Sequence, residues 1–406
     1  MSVPPDSPPS SDRRPLQILD LPRECLLHVF KWTNSSFQEL QTLRKTCSTF
    51  RDAIDTDPLT IYQTATHLKF TRDSIIIGMD VNDRTTDVEY QQTEDGCLID
   101  RYWRDEHKSK YLSNQEMLHQ WEECATQGKR RYYEAEQGKM IDWYGKRRRF
   151  LIDENILGVA YEDFESMLKH QNLATFDSLR FHFGSKEVEE QERQTFYFRK
   201  KLNNYLKSRK KPLKVKKLLF TVTLQEEIMS ILPFVDPMVI EEVWIFDYRD
   251  EEEKDRELFP IDEIVETRQW KKAKVVRRDG SDIAPEWIDH FMGRTMAVVH
   301  LKTVPLAMML KIREAFLNPA STNTEFVINF SDPAFRIDQF IAFGEFKEYR
   351  NHHVYEWFFR TLPNTGQLLK VHLSYLYMDG RIHFSHVAES EIDRDAVVNF
   401  IDRNRQ

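Results

Sequence analysis

The sequence predicts a mixed α+β and α/β chain, with a small bundle of three short helices in front of a β/α repeat domain. Three observations carry that expectation. Apolar residues at helical spacing crowd into residues 15–58, an apolar-x-x-apolar-x-apolar pattern recurs from Phe176 onward, and helical stretches separate its copies. At 406 residues the chain is long enough for two or three domains.

Residues 1–14 hold four prolines and four serines with no period of 2 or 3.6, and read as a disordered tail. In residues 15–58, Asp20 is a fitting N-cap and Pro22 suits the first helical turn, where its missing N–H is not needed. Leu26, Val29 and Phe30 make one stripe, Phe37, Leu40 and Leu43 a second, and Phe50, Ala53 and Ile54 a third that Pro58 stops. Three such helices bury too little surface to stand alone. They either cap the rest of the chain or complete their core with a partner.

The order Leu21-Pro22-Arg23-Glu24-Cys25-Leu26-Leu27-His28-Val29-Phe30, then Leu40-x-x-Leu43-Arg44-Lys45-Thr46-Cys47-Ser48-x-Phe50-Arg51, resembles an F-box. Thr46 stands where that pattern has an apolar residue, and Phe50 where Trp is commoner. The resemblance implies docking to a Skp-family adaptor held by a cullin scaffold. Leu21, Pro22, Leu26, Leu27, Val29, Phe30 and Leu40 are then the expected contact or support residues.

Residues 59–175 form a mixed connecting region. His67–Phe70, Ser74–Met79 and Asp87–Tyr90 read as strands, and residues 114–144, rich in Glu, Gln, Lys and aromatics, read as helical with Gly128 and Gly138 as interruptions.

The repeat copies are Phe176/Leu179/Phe181, Val215/Leu218/Phe220, Ile240/Val243/Ile245, Trp270/Ala273/Val275, Met296/Val299/Leu301 and, late, Leu368/Val371/Leu373, with a weaker copy near Thr324 to Phe330. From Val215 to Met296 they start 25, 30 and 26 residues apart. Helical stretches lie at residues 225–232, 261–270, 285–292 and 305–317. One strand and one helix cannot cover each other's apolar faces, so stacking units of this length predicts a leucine-rich-repeat-like β/α solenoid over residues 176–390, with 391–406 as a C-terminal tail. The usual Asn ladder is missing, because Thr223, Tyr248, Arg278 and Val304 occupy its places. An ordinary βαβ sheet would show the same alternation.

Lys211-Pro212-Leu213-Lys214-Val215-Lys216, Ile228 to Pro233, Pro237-x-x-Ile240-Glu241-Glu242-Val243 and Gln269-Trp270-Lys271-Lys272-Ala273-Lys274 resemble the FTH domain of nematode F-box-A proteins, from Lys211 to about Pro333. Such proteins place an F-box before an FTH domain, the order found in this chain.

Enzyme signatures fail. The sequence has no G-x-x-x-x-G-K-[ST], G-x-G-x-x-G or G-x-S-x-G, and none of Cys25, Cys47, Cys97 and Cys124 sits in a C-x-x-C or catalytic signature. His352-His353 and His383-x-x-His386 lack a completing Cys or acidic cluster, so no metal or other cofactor is expected. A formal charge of −8 disfavours a general nucleic-acid binder. The basic runs Lys146 to Arg149 and Arg209 to Lys217 suit nuclear import or solvated strand faces. No apolar run reaches the roughly 20 residues of a membrane span, and the scattered cysteines fit a reducing compartment, cytoplasmic and/or nuclear.

The expected function is that of a non-catalytic substrate receptor in an SCF-type ubiquitin ligase, or an F-box adaptor outside ubiquitination, for example in translational control. A repeat enzyme with a diffuse site is the third alternative. The target-binding face is expected to carry Lys216, Lys217, Glu241, Glu242, Lys271 and Lys272, with the acidic run Asp250 to Glu257 at one rim.

Overall fold

The computed structural model divides into two units, Met1–Tyr62 and Gln63–Gln406. It describes residues 63–71, 74–81, 84–105, 130–134, 139–152, 154–169, 175–183, 189–249, 258–318, 324–332, 335–349, 353–360, 366–376, 379–392 and 396–400. The tail, the three expected helices, all seven adaptor-contact residues and the acidic run lie outside the described residues.

The second unit opens with an antiparallel meander. Its strands are β1 (Gln63–Phe70), β2 (Ser74–Val81), β3 (Arg84–Thr93), β4 (Gly96–Asp105), β5 (Arg130–Glu134) and β6 (Lys139–Ile152). Alternation drives it: Leu68 and Phe70 pair with Ile77 and Ile75, and all four are buried. The pairing order is β1, β2, β3, β4, β6, β5. The helix expected over residues 114–144 is therefore corrected from Arg130 onward, where β5 and β6 form a hairpin with Tyr132 opposite Ile141. Tyr, Trp and Ile in that stretch favour strand, and β4 supplies the hydrogen-bonding partner that composition does not reveal.

A parallel block follows. β7 (Phe176–His182), β8 (Val215–Val222), β9 (Glu242–Asp247), β10 (Val275–Asp279), β11 (Met296–Leu301) and β12 (Glu325–Ser331) lie side by side in chain order, with β1 parallel to β7 at the start. Parallel neighbours need long crossovers. These run through α1 (Ile156–Lys169) before β7, α2 (Glu189–Ser208), α3 (Gln225–Met229), α4 (Asp262–Glu266), α5 (Arg268–Lys272), a 3₁₀ turn at Pro285–Phe291, and α6 (Leu306–Leu317). All four expected helical stretches are thus helical at least in part. Their aromatics meet the sheet: Phe198 of α2 packs edge-on to Phe70 at 5.2 Å, and Phe164 of α1 to Phe181 at 6.1 Å.

Two repeat copies are out of frame. Strand pairing aligns Leu218, Val243, Val276 and Ala297 in one inward row, and Phe220, Ile245 and Arg278 in the next. Trp270 belongs to α5, not to a strand, and Val275 and Met296 open β10 and β11. The frame slipped because a fully buried arginine, Arg278, fills an apolar place. Its guanidinium reaches Asp247 Oδ2 at 3.2 Å, donates to Ser281 Oγ and the Asp279 carbonyl, and lies 4.4 Å above Phe259.

The chain ends in a second antiparallel set: β13 (Lys347–Tyr349), β14 (Val354–Arg360), β15 (Gln367–Leu376), β16 (Asp379–Ala388) and β17 (Val398–Phe400). The order is β12, β16, β15, β14, with β13 and β17 on the far side of β14. The late copy, Leu368/Val371/Leu373, falls in β15 and is antiparallel, a departure from the parallel repeat expected to residue 390. Two residues between β15 and β16 permit a hairpin and no crossover.

Candidate interaction face

Strand alternation sorts the parallel block into two faces. Leu179, Phe181, Leu218, Phe220, Val243, Ile245 and Val276 are buried under the helices. The residues between them form the outer face. Its central row runs Arg180, Leu219, Trp244, Arg277, Val298, Val327 and on to His383. Leu219, Val298 and Val327 in that row are themselves at most 5% exposed.

Trp244 of β9 is flanked by cations from both neighbouring strands. Lys217 Nζ stands 3.4 Å from its ring centroid, and the Arg277 guanidinium 5.1 Å. Each cation also has a carboxylate: Lys217 reaches Glu242 at 3.2 Å and Arg277 reaches Asp279 at 2.5 Å. Further along, His300 lies 2.7 Å from Asp282 and His383 3.1 Å from Glu325. Lys370 and His372 share Glu356 at 2.7 and 3.0 Å. Burial pushes the Glu356 carboxyl up, but hydrogen bonds from Lys370 and His372 outweigh it and leave the group below the usual carboxylate range.

Of the six expected target-binding residues, two lie on this face and four do not. Lys217 and Glu242 are the two, as direct Cα partners on β8 and β9. Lys216 and Glu241 sit at the strand entry, where Lys216 pairs with Asp177 at 2.7 Å and Glu241 with Lys274 at 3.5 Å. Lys271 and Lys272 belong to α5, and Lys271 pairs with Glu266 at 2.6 Å. The slipped repeat frame placed those two lysines on a strand. Trp244 and Arg180 lie in copies that are in frame, each between two apolar inward residues, so alternation alone marks them as outward; Arg277 is hidden because its inward neighbour Arg278 is charged.

His383 and His386 fall on opposite faces of β16, as an odd separation in a strand requires, with His386 5.5 Å from the Phe316 ring of α6. Among the described residues no group of three or more His, Cys, Asp or Glu could hold a metal ion. No helix among them is long and apolar enough to cross a membrane.

Two family models match the chain: an F-box domain over residues 18–62 and an FTH domain over residues 197–342. The chain therefore has the F-box plus FTH architecture. The FTH match runs from the middle of α2 through β12, so it covers β8 to β12 and leaves β1 and β7 outside. Comparison with curated proteins and with solved structures returns no match.

Proposed function

We propose that this F-box/FTH protein is the substrate-recognition subunit of an SCF-type E3 ubiquitin ligase. The F-box, through Leu21, Pro22, Leu26, Leu27, Val29, Phe30 and Leu40, docks a Skp-family adaptor that the cullin scaffold holds. The parallel block captures the target, in the cytoplasm, the nucleus or both. The observation that carries the reading is the F-box match at 18–62 ahead of the FTH match at 197–342. In support, strands in chain order with a helix in nearly every crossover suit a leucine-rich-repeat-like solenoid, which exposes one sheet face to a protein partner. Trp244, Lys217 and Arg277 are the aromatic and cationic side chains that such interfaces favour. On this reading the chain is non-catalytic, and ubiquitin transfer belongs to other subunits.

The test is co-purification. The wild-type chain is expected to retain adaptor and cullin, and Leu21→Ala/Pro22→Ala to lose both while the Gln63–Gln406 unit keeps its thermal transition. Adaptor retained by the double variant sinks the docking assignment. Adaptor captured without cullin, and no ubiquitin transfer in the reconstituted complex, would move the protein to an adaptor role outside ubiquitination.

A further inference from the structure

Much of the outer face neutralises its own charge; among the described residues the exposed Arg381 of β16 stands without a carboxylate, and so does a pair of cations at the β1–β7 junction. From β8 to β14 the cations and imidazoles named above stand within 3.2 Å of a carboxylate. At the β1–β7 junction the pattern changes. Lys69 is the Cα partner of His182, and Arg180 is the Cα partner of His67. Neither the Lys69 nor the Arg180 side chain has a carboxylate partner among the described residues, and Arg180 is exposed.

The acids nearby face other side chains, although Asp87 Oδ1 has no hydrogen-bond donor among the described residues. Asp87 lies against His67 at 3.3 Å, and Glu89, 3% exposed, accepts from Ser74 at 2.9 Å. Burial first, then the charges of Lys69 and Arg180, drive the His182 pKa down to about 4. Beside it, the half-exposed ring of Tyr248 stands edge-on at 5.2 Å. Two adjacent cations with no carboxylate partner among the described residues are complementary to an anion supplied from outside.

We infer that this block, formed by Lys69, Arg180, His182 and Tyr248, receives an acidic, carboxylate-bearing segment of the target protein. The inference rests on the target-receptor reading and extends it beyond the FTH match, since β1 and β7 precede residue 197. Spacing narrows the ligand. Lys69 and Arg180 are diagonal neighbours on adjacent strands, about 8 Å apart from a strand spacing of about 4.8 Å and a rise of about 3.3 Å per residue. Alternate residues of an extended peptide lie about 6.6 Å apart on one side, so Glu-x-Glu reaches both cations. Tyr248 then offers the backbone between them an apolar wall.

The probe is a fluorescein-labelled (Glu-Gly)5 peptide titrated into the full-length chain by anisotropy, with (Gln-Gly)5 as control. The expected result is binding that weakens with salt, is absent for the Gln peptide, and falls at least tenfold in Lys69→Glu/Arg180→Glu. Lys69→Gln/Arg180→Gln gives an intermediate loss and covers the case in which the reversal does not fold. Lys207→Glu/Lys311→Glu, on α2 and α6, leaves binding unchanged. Equal affinity of wild type and both β1–β7 variants overturns the inference. So does binding of (phosphoserine-Gly)5 or oligouridylate without binding of the Glu peptide. The receptor reading is scored separately. If targets trapped on an F-box-deleted chain survive Lys69→Gln/Arg180→Gln, this block falls and the receptor stands. If the wild-type chain retains no adaptor, the receptor reading falls whatever the peptide does.

Discussion

His67 Nε2 lies 3.3 Å from Asp87 Oδ1 although the two residues belong to β1 and β3, with β2 between them. The contact exists because the intervening residue is Gly78, the Cα partner of both. A Cβ built there would stand 1.9 Å from the His67 ring and 2.4 Å from Asp87 Oδ1. The clashing atoms are side-chain ends, so the strands need not separate. Gly78→Ala is expected to push the pair apart at a cost of about 1–2 kcal/mol. The same substitution in a His67→Ala background is expected to cost less, and a double-mutant cycle by urea denaturation reads that coupling. Additive costs would mean that the glycine serves the backbone and not the pair.

Asp247 and Arg278 make a buried pair whose members are not equivalent. Asp247 also takes Arg249 Nε at 2.9 Å and the Arg249 amide at 2.9 Å. Burial pushes the Asp247 carboxyl up, and these hydrogen bonds with the Arg278 charge bring it net below its usual range. Asp247→Ala would leave two cations buried without their anion, which is expected to cost about 3–5 kcal/mol. Arg278→Met keeps Asp247 paired with Arg249 and restores an apolar row, so a loss within about 2 kcal/mol is expected. Urea midpoints at constant m compare the two. An Arg278→Met variant as damaged as Asp247→Ala would show that the guanidinium is indispensable.

That arginine also marks where the sequence stopped being readable. Val215/Leu218/Phe220 and Ile240/Val243/Ile245 were legible as strands because their inward places are apolar, and the helical stretches between them followed from period and length. At β10 the inward place is held by a charge whose partner, Asp247, lies 31 residues earlier. Apolar spacing therefore points back to Trp270 and carries Lys271 and Lys272 with it. β5 and β6 are hidden for a related reason, since β6 is held by β4 and β5 by β6, and the Glu, Gln and Lys between their aromatics mask the strand preference. Of the candidate site, Lys217 and Glu242 were legible. That Lys69 and Arg180 come together without a carboxylate among the described residues depends on which strands become neighbours, which no local pattern encodes.

Trp270 tests the helical layer. It is fully buried, meets Phe291 edge-on at 5.3 Å, and its indole N–H donates to the His290 carbonyl at 3.1 Å. Trp270→Ala removes this packing and leaves the His290 carbonyl with only the long Arg294 contact at 3.5 Å, with an expected loss of about 3–5 kcal/mol. Thermal unfolding of the full chain reads it. An unchanged transition with lost target capture would move Trp270 from core to binding surface.

His182 gives the protein a pH dependence with a defined sign. Its pKa is lowered from 6.5 to about 4 in the folded chain, by burial first and then by Lys69, Arg180 and His67. Between those values the unfolded chain binds the proton and the folded chain does not, so stability rises with pH across the window. The contribution is whole above about 6.5 and is lost as pH falls toward 4, with an amplitude of about 3 kcal/mol. Carboxylates titrate in the same range, so the signal is the difference between wild type and His182→Gln in urea midpoints from pH 4 to pH 7.5. The glutamine variant is expected to lose less stability on acidification. Lys69→Met removes one of the repelling cations, raises the His182 pKa and narrows the window from its acid end. Parallel pH curves for wild type and both variants would mean that His182 titrates as a solvated imidazole, and that the cations around it are screened.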